Sequence, residues 1–154
     1  GGADVAGVQE KSDAIVRIEG VRDNTSVIDR YARGAVFCCP SIYEPFGIIK
    51  LEAMACETAV VASAVGGIKE VVVDGETGFL VPVEQMQESP FEPTDPQKFS
   101  RDLAEKINLL MANPDLQKQF GRAGRKRAEE KFSWSAIAQE TKQLYEALIK
   151  KRTR

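Results

Sequence analysis

The sequence predicts an α/β fold in which a parallel sheet carries helices on both faces. Two short runs, residues 35–39 and 59–63, have the continuous apolar character of strands that are covered on both sides. A turn and then a helical pattern of apolar residues follow each run. Strands that alternate with helices form parallel sheets through right-handed crossovers. We therefore expect a single Rossmann-like domain, residues 1–154, with the two runs paired and nearly fully buried.

The bulk properties of the chain exclude several classes of function. The net charge is −2 and the isoelectric point is about 5.4, so no electrostatic argument favours a nucleic acid or an anionic membrane as partner. The chain has no histidine, which excludes Ser-His-Asp and Cys-His catalysis and argues against a zinc site. The longest apolar run, residues 58–64, is too short to span a bilayer, and no signal peptide is visible. We expect a cytoplasmic protein in which Cys38, Cys39 and Cys56 are buried free thiols.

The first part of the chain supplies a strand and a helix ahead of the first apolar run. Residues 1–13 are small and polar without a period, so we expect a frayed start. Alternating β-branched residues predict a short strand at residues 14–18. Residues 23–25 can cap a helix over about residues 26–32, which Gly34 then ends.

Turn signals divide the segment that follows the second apolar run. Gly66 and Gly67 predict a turn ahead of one or two helical turns at residues 68–73. A last short strand is expected at residues 79–82. Residues 83–95 are rich in proline and acidic side chains and have no period, which predicts a surface loop.

Three helices are expected to complete the domain. Thr94 or Asp95 can cap the first, which has Pro96 in its first turn and extends to about residue 112. Residues 113–115 can cap a basic helix over about residues 116–132, whose charges predict a solvated face. The C-terminal helix, residues 133–154, has a basic end that we expect to fray and an apolar stripe of Ile137, Thr141, Leu144, Tyr145 and Leu148.

The junction between the first apolar run and the next helix is the strongest candidate for a binding site. Open α/β sheets bind ligands at the carboxyl ends of their strands. Phe46, Gly47, Ile48 and Ile49 would form the first helical turn, where backbone N–H groups lack partners and the helix dipole is positive. Gly47 has no side chain, so an anion can approach the backbone. The sequence therefore predicts a phosphate site that needs neither metal nor lysine.

Two carboxylates bracket this predicted phosphate site. Ile48 and Glu52 are four residues apart, so they share one helical face. Glu52 could accept hydrogen bonds from ribose hydroxyls, as an acid does in dinucleotide folds, and Glu44 could meet a sugar attached to the phosphate. The alternative is structural: Glu44 would cap a backbone turn, and Glu52 would pair with Lys50 or Arg33.

These residues form a pattern that resembles a known signature. Glu44 and Glu52, within the stretch Ser-Ile-Tyr-Glu-Pro-Phe-Gly-Ile and the following Glu-Ala-Met-Ala, resemble the Glu-x7-Glu signature of retaining glycosyltransferases of the GT-B fold. The resemblance covers roughly residues 15–148, with further matching motifs at residues 59–62, 66–72, 74–81 and 132–134. Within that group the sequence looks most like bacterial glycogen synthases of the actinobacterial type.

The resemblance implies a role for each matching residue. Glu44 would be catalytic, lying against the donor glucose near the reacting carbon. The amides of Phe46, Gly47, Ile48 and Ile49 would hold the leaving diphosphate, and Glu52 would bind the ribose. The reaction would move glucose from a nucleotide-glucose, expected to be ADP-glucose, to the end of an α-glucan. No metal and no further cofactor would take part.

One departure from the family limits what this chain is expected to do alone. Family members bind the acceptor in a first Rossmann-like domain and the donor in a second, which carries an Arg and a Lys for the diphosphate near its start. The chain has neither the first domain nor this Arg–Lys pair, so we expect an N-terminally truncated donor-nucleotide-binding domain that is inactive alone. We expect its glucan to bind through the missing N-terminal domain, and the chain to self-associate through its truncated edge. Two alternatives stay open: the same half of a retaining transferase with a small acceptor, such as a sugar phosphate, an inositol or a lipid, and a non-catalytic nucleotide-binding α/β module.

Overall fold

The computed structural model describes residues 23–152. The predicted strand at residues 14–18 and the frayed start at residues 1–13 lie outside the described residues. The helix expected over residues 116–132 is divided, because its last part is a π-helical turn. In chain order the elements are α1 (Asn24–Arg33), β1 (Val36–Cys39), α2 (Ile48–Ala55), β2 (Ala59–Ser63), α3 (Ile68–Val71), β3 (Gly78–Val81), α4 (Pro96–Met111), α5 (Pro114–Arg127), the π-helical turn (Ala128–Phe132) and α6 (Trp134–Arg152).

The three strands form a parallel sheet in which β2 is central. The register aligns Phe37 of β1 with Val60 of β2, and Val61 of β2 with Phe79 of β3. Every residue of β2 is buried, as its continuous apolar run predicts. Helices connect the parallel strands, so the predicted Rossmann-like architecture is confirmed.

Alternate residues of β2 belong to two different cores. Val60 and Ala62 pack in one core with residues of α2 and α3. Ala59 and Val61 pack in the other with Leu110 of α4 and with α5. Because side chains of a strand alternate between the two faces of a sheet, helices cover both faces of β2.

The first strand, β1, is less buried than the sequence predicts. Val36 and Phe37 are only half-buried and Cys38 is exposed. In the part of the chain that the structure describes, β1 pairs with β2 alone and therefore lies at an edge of the sheet. The expectation of buried thiols is consequently wrong for Cys38. Cys39 is buried, Cys56 is partly exposed, and these three cysteines are free.

Three helices, α1, α4 and α5, begin at Asp or Asn side chains that the sequence indicates. In each case an Asp or Asn oxygen accepts a hydrogen bond from a backbone N–H three residues further on, which satisfies one of the unpaired donors of the first turn. The caps are Asp23 for α1, Asp95 for α4 and Asn113 for α5, with donor–acceptor distances of 3.0, 2.8 and 3.1 Å. Ser133 caps α6 in the same way, accepting from the N–H of Ala136 at 3.2 Å.

The basic residues at the end of α5 do not all lie on a solvated face. Arg125 and Lys126 form exposed ion pairs with Glu129 and Glu130 of the adjoining π-helical turn. Arg127 instead donates to the backbone carbonyl oxygens of Glu70 and Val71 at 2.7 and 2.8 Å. Those carbonyls lie in the last turn of α3, where helical partners are lacking, so Arg127 ties α5 to the end of α3.

The last helix, α6, extends to Arg152, and its apolar stripe is largely exposed. It contacts the π-helical turn, while Leu144, Tyr145 and Leu148 are each more than half exposed. None of the helices within residues 23–152 combines the length and the apolar character needed to cross a membrane.

Val60→Asp tests the central strand, because Val60 is fully buried in the core. A buried charge without a partner costs several kcal/mol, compared with a total stability of about 5–15 kcal/mol. We expect the variant to lose its cooperative thermal transition in circular dichroism. Cys38→Ser on the exposed edge strand is the control and should shift the free energy of unfolding by about 0.5 kcal/mol or less. A normal melting temperature for Val60→Asp would contradict the position of β2.

The exposed stripe of α6 is expected to cause self-association, since large apolar patches on a protein surface favour contacts between molecules. Sedimentation velocity at increasing concentration should show species larger than the monomer. A double variant, Leu144→Ser with Leu148→Ser, should shift the distribution to monomer. A wild-type chain that stays monomeric at every concentration would show that the stripe does not mediate such contacts.

Candidate functional site

The loop between β1 and α2 is held by the ends of the neighbouring elements. The Ser63 hydroxyl, at the end of β2, donates to the backbone carbonyls of Ser41 and Cys39. The N–H of Gly67, just ahead of α3, donates to the carbonyl of Glu44 at 3.1 Å. The loop is therefore fixed at the carboxyl edge of the sheet, where its predicted ligand site would have to be.

Gly66 and Gly67 allow this close approach between the two loops. A Cβ at Gly66 would overlap the carbonyl oxygen of Glu44, and one at Gly67 would lie 2.7 Å from Cα of Phe46. The sequence indicates a turn at these glycines, and the structure adds that they are the packing surface for the Glu44 backbone. Any larger residue would displace the loop that carries the candidate site.

The loop formed by residues 83–95 also packs against this site. The side-chain amide of Gln85 donates to the carbonyl of Ile42 at 2.6 Å and to that of Phe91 at 2.7 Å. The ring of Phe91 stacks on the ring of Tyr43, with centroids 6.2 Å apart. These contacts support the segment just before Glu44.

Helix α2 begins at Ile48, so Phe46 lies ahead of the first turn that the sequence predicts over residues 46–49, and no side chain caps the helix. Gly47 occupies the N-cap position with φ 89° and ψ 65°, a left-handed conformation that glycine adopts without steric cost. The side chains of Ile48 and Ile49 are exposed, and Phe46 is half-buried with its ring 5.9 Å from that of Phe132. An uncapped N-terminus carries a partial positive charge and free N–H groups, which suits an anion.

Glu44 is paired with Lys50, which the sequence suggests only as a partner of Glu52. The Lys50 ammonium lies 2.9 Å from Oε2 of Glu44, and Lys50 is fully buried whereas the Glu44 side chain keeps 22% of its surface exposed. The hydrogen bond from Lys50 lowers the pKa of Glu44, and the backbone N–H of Phe46 acts in the same direction. The structural alternative from the sequence, Lys50 or Arg33 paired with Glu52, is wrong: Lys50 binds Glu44, and Arg33 binds Asp29.

Glu52 is exposed and lies between two clefts. A cleft of about 430 Å³ is lined by Glu52, Ile48 and Phe46 together with residues of the π-helical turn and α6. A second cleft of about 300 Å³ lies between Glu52 and α1. The hydroxyl of Tyr31 donates to Oε2 of Glu52 at 3.3 Å, and burial, with the Glu52 charge as a second cause, raises the pKa of Tyr31.

The structure thus brings the predicted residues together in two groups. Phe46, Ile48 and Glu52 line one cleft at the start of α2, whereas Glu44 lies against Lys50. Chemically, the site combines the ionised carboxylate of Glu44, the uncapped N-terminus of α2 and the exposed carboxylate of Glu52. Within residues 23–152, no three His, Cys, Asp or Glu side chains lie together as metal ligands would.

Comparison with known proteins identifies the family. Residues 10–89 match the family described as "Glycosyl transferases group 1".

The chain belongs to this family.

Three curated glycosyltransferases illustrate the range of its relatives. The alpha-maltose-1-phosphate synthase of Mycolicibacterium smegmatis is 52% identical over 71% of this chain and 26% of its own length. The D-inositol 3-phosphate glycosyltransferase of Kribbella flavida is 33% identical over 86% of this chain and 28% of its own. The glycogen synthase of Mycobacterium tuberculosis is 32% identical over 84% of this chain and 28% of its own.

Solved structures share the fold. Sucrose-phosphate synthase from Thermosynechococcus elongatus superposes with a TM-score of 0.68 at 39% identity, over 85% of this chain and 29% of that protein. Anabaena HepE, solved in complex with UDP-glucose, superposes with a TM-score of 0.61 at 25% identity, over 79% of this chain and 30% of that protein. The sheet and its helices are therefore those of a GT-B glycosyltransferase, and the chain spans about a quarter of the length of the curated relatives.

Gly47→Ala tests the geometry of the helix start. An added Cβ would be strained by the left-handed backbone and would lie 2.8 Å from Cδ of Lys50. Gly75→Ala is a matched control, because Gly75 has φ 74° but open space around it. Urea unfolding should show a loss about 1–3 kcal/mol larger for Gly47→Ala, the usual cost of overpacking. Equal losses in the two variants would mean that Lys50 does not pass beneath Gly47.

Proposed function

We propose that this chain is the donor-binding half of a retaining glycosyltransferase that moves glucose from a nucleotide-glucose, with ADP-glucose the first candidate. The observation that carries the proposal is the uncapped start of α2, with Glu44 held by Lys50 in the loop ahead of it and Glu52 exposed in a cleft one turn after it. A nucleotide sugar has the matching order of groups: a sugar, a diphosphate and a ribose.

The diphosphate is assigned to the backbone of the first turn. The N–H groups of Gly47, Ile48 and Ile49 lie at the positive end of the α2 dipole, and Gly47 presents no side chain there. The N–H of Phe46, which the sequence adds to this group, donates to Glu44 instead. Fixed donors of this kind stabilise the charge that develops on a leaving diphosphate. Removing one donor from an oxyanion hole typically costs about a hundredfold in rate or more, which indicates the size of such an effect.

The two glutamates are assigned different roles. Glu52 would accept hydrogen bonds from the ribose hydroxyls, which its exposed carboxylate can reach from the cleft. Glu44 would stabilise positive charge at the sugar carbon as the diphosphate departs. That role requires an ionised carboxylate, which the lowered pKa of Glu44 provides at neutral pH. Attack on the same face as the departing phosphate would retain the configuration, unlike the two-carboxylate route of retaining hydrolases.

Two acceptors are supported by different relatives. The end of an α-glucan is the acceptor that a glycogen synthase extends, and the M. tuberculosis enzyme of that name is 32% identical to this chain. A sugar phosphate is favoured by the 52% identity to an alpha-maltose-1-phosphate synthase. In both cases the transferred sugar would be glucose. The acceptor would bind to a further domain, so we propose that the 154 residues alone bind donor without catalysing transfer.

Donor binding can be measured directly on the purified chain. Isothermal titration with ADP-glucose, UDP-glucose and GDP-mannose should show the strongest binding for ADP-glucose. Glu52→Ala should weaken that binding by about tenfold, the equivalent of one well-formed hydrogen bond to a charged group. Glu76→Ala, at an exposed turn, is the control and should bind like the wild type. EDTA should have no effect, because no metal is assigned to the site. Absence of binding for all three nucleotide sugars would contradict the proposal.

Kinetics in a full-length enzyme that carries this half should separate the two glutamates. Glu52→Ala should raise the donor KM and leave kcat near normal, because ribose contacts are equal in the ground and transition states. Glu44→Ala should lower kcat by about a hundredfold or more, if Glu44 contributes as much as one oxyanion-hole donor does. Steady-state rates with ADP-glucose, and with glycogen and glucose 1-phosphate as rival acceptors, test both roles. A near-normal kcat for Glu44→Ala would contradict a catalytic role and would mean that Glu44 only stabilises the backbone turn.

A further inference from the structure

The proposed function assigns no effect on the bound donor to Lys50, the buried lysine at the start of α2 that pairs with Glu44. Within residues 23–152, Lys50 is the one charged residue that is buried, and none of its surface is exposed. It is the third residue of a helix whose other side chains, apart from Glu52, are apolar. A methionine or leucine would fill the same space without the cost of removing an ammonium from water. Stability alone therefore does not explain a lysine at this position.

The path of the Lys50 side chain takes its charge to the candidate site. Its stem runs beneath Gly47, so close that a Cβ there would lie 2.8 Å from Cδ and 3.0 Å from Cε. Its ammonium then reaches Oε2 of Glu44 at 2.9 Å. The Glu44 side chain remains 22% exposed, so the pair is buried on the lysine side and open on the carboxylate side.

The Lys50–Glu44 pair reduces the electrostatic repulsion that is expected between Glu44 and a diphosphate bound at the proposed donor site. A nucleoside diphosphate is an anion, and it would bind at the first turn of α2, a few residues from the ionised Glu44. Two negative groups at such a distance repel each other unless a positive group lies close to one of them. In the described part of the chain, Lys50 is the charged group that acts on Glu44.

We propose that Lys50 is a positioning residue, the counter-ion that holds the ionised Glu44 carboxylate in one orientation and offsets its negative charge beside a bound nucleoside diphosphate. The inference rests on the proposed donor site and deepens it. Lys50 touches neither the sugar nor the phosphate, and acts through Glu44 alone.

The first test follows the titration of Glu44 by carbon-13 NMR of its side-chain carboxyl. In the wild-type chain the carboxylate should remain ionised to lower pH than an ordinary glutamate does. Lys50→Met keeps the apolar stem and removes the charge, so the pKa of Glu44 should rise. Lys69→Met removes an exposed lysine from α3 and is the matched control, which should leave the Glu44 titration unchanged. An unchanged titration in Lys50→Met would overturn the proposal.

The titration of Glu44 also affects stability, because a pKa that folding lowers makes the free energy of unfolding depend on pH. The contribution of the pair is present above the pKa of Glu44 in the unfolded chain and is lost as pH falls through the lower, folded value. The acid-induced loss of stability should therefore be smaller in Lys50→Met than in the wild type. Urea unfolding at several pH values measures this difference.

The second test uses ADP as the probe and asks whether the charge of Glu44 is what Lys50 controls. Lys50→Met should weaken ADP binding by about tenfold, the order of effect of a close charge that loses its counter-ion. The double variant Glu44→Gln with Lys50→Met removes both charges and should recover most of that loss. If the double variant bound ADP as weakly as Lys50→Met does, Lys50 would be a structural residue only, and the proposal would fail.

The two tests separate this inference from the proposed function. If the wild-type chain bound no ADP, the donor site would be wrong, and the Glu44 titration would still decide whether Lys50 is its counter-ion. Should Lys50→Met fail to fold, nitrogen-15 NMR of the wild-type lysine side chains replaces it. The Lys50 ammonium signal should exchange slowly with water and shift as Glu44 titrates, and a signal that behaves like that of the exposed Lys69 would overturn the proposal.

Discussion

A buried ammonium must have a partner, and this requirement shapes the site at the start of α2. Lys50 is fully buried, and its ammonium donates a hydrogen bond to Oε2 of Glu44 at 2.9 Å. The side chain reaches that carboxylate by passing close to Gly47, where an added Cβ would lie 2.8 Å from Cδ of Lys50. Glycine at this position thus serves two purposes, since it clears the path for the lysine and leaves the helix N-terminus open. The orientation of Glu44 and the uncapped start of α2 follow from one packing constraint.

The sheet makes this arrangement rigid. The central strand, β2, is buried along its whole length, and its last residue, Ser63, donates a hydrogen bond back to the loop that carries Glu44. Gly66 and Gly67 bring the start of α3 against the same loop. Arg127 then connects the end of α3 to α5 through two backbone carbonyls. A loop that binds ligands performs best when a scaffold fixes its backbone, and each of these contacts supplies part of that scaffold.

Local signals in the sequence predict most of the fold. The run at β2 and the Asp and Asn caps depend on short-range chemistry that a sequence displays. The start of α2 is predicted only to within two residues, because the helix begins at Ile48 and not at Phe46. Features that depend on tertiary contacts are not predicted from the sequence. An apolar run does not reveal which strand lies at an edge, so the exposure of Cys38 is not predicted. The burial of Lys50 and the capping by Arg127 depend on contacts that only the folded chain creates.

Mapping the binding of ADP-glucose by backbone amide NMR tests the central claim most directly, namely that the first turn of α2 holds the donor diphosphate. The predicted result is that the largest shift changes fall on the amides of residues 46–49, with smaller ones near Glu52. Shift changes concentrated elsewhere, for example in the cleft between residues 73–77 and Lys126, would contradict it, as would a spectrum that ADP-glucose leaves unchanged.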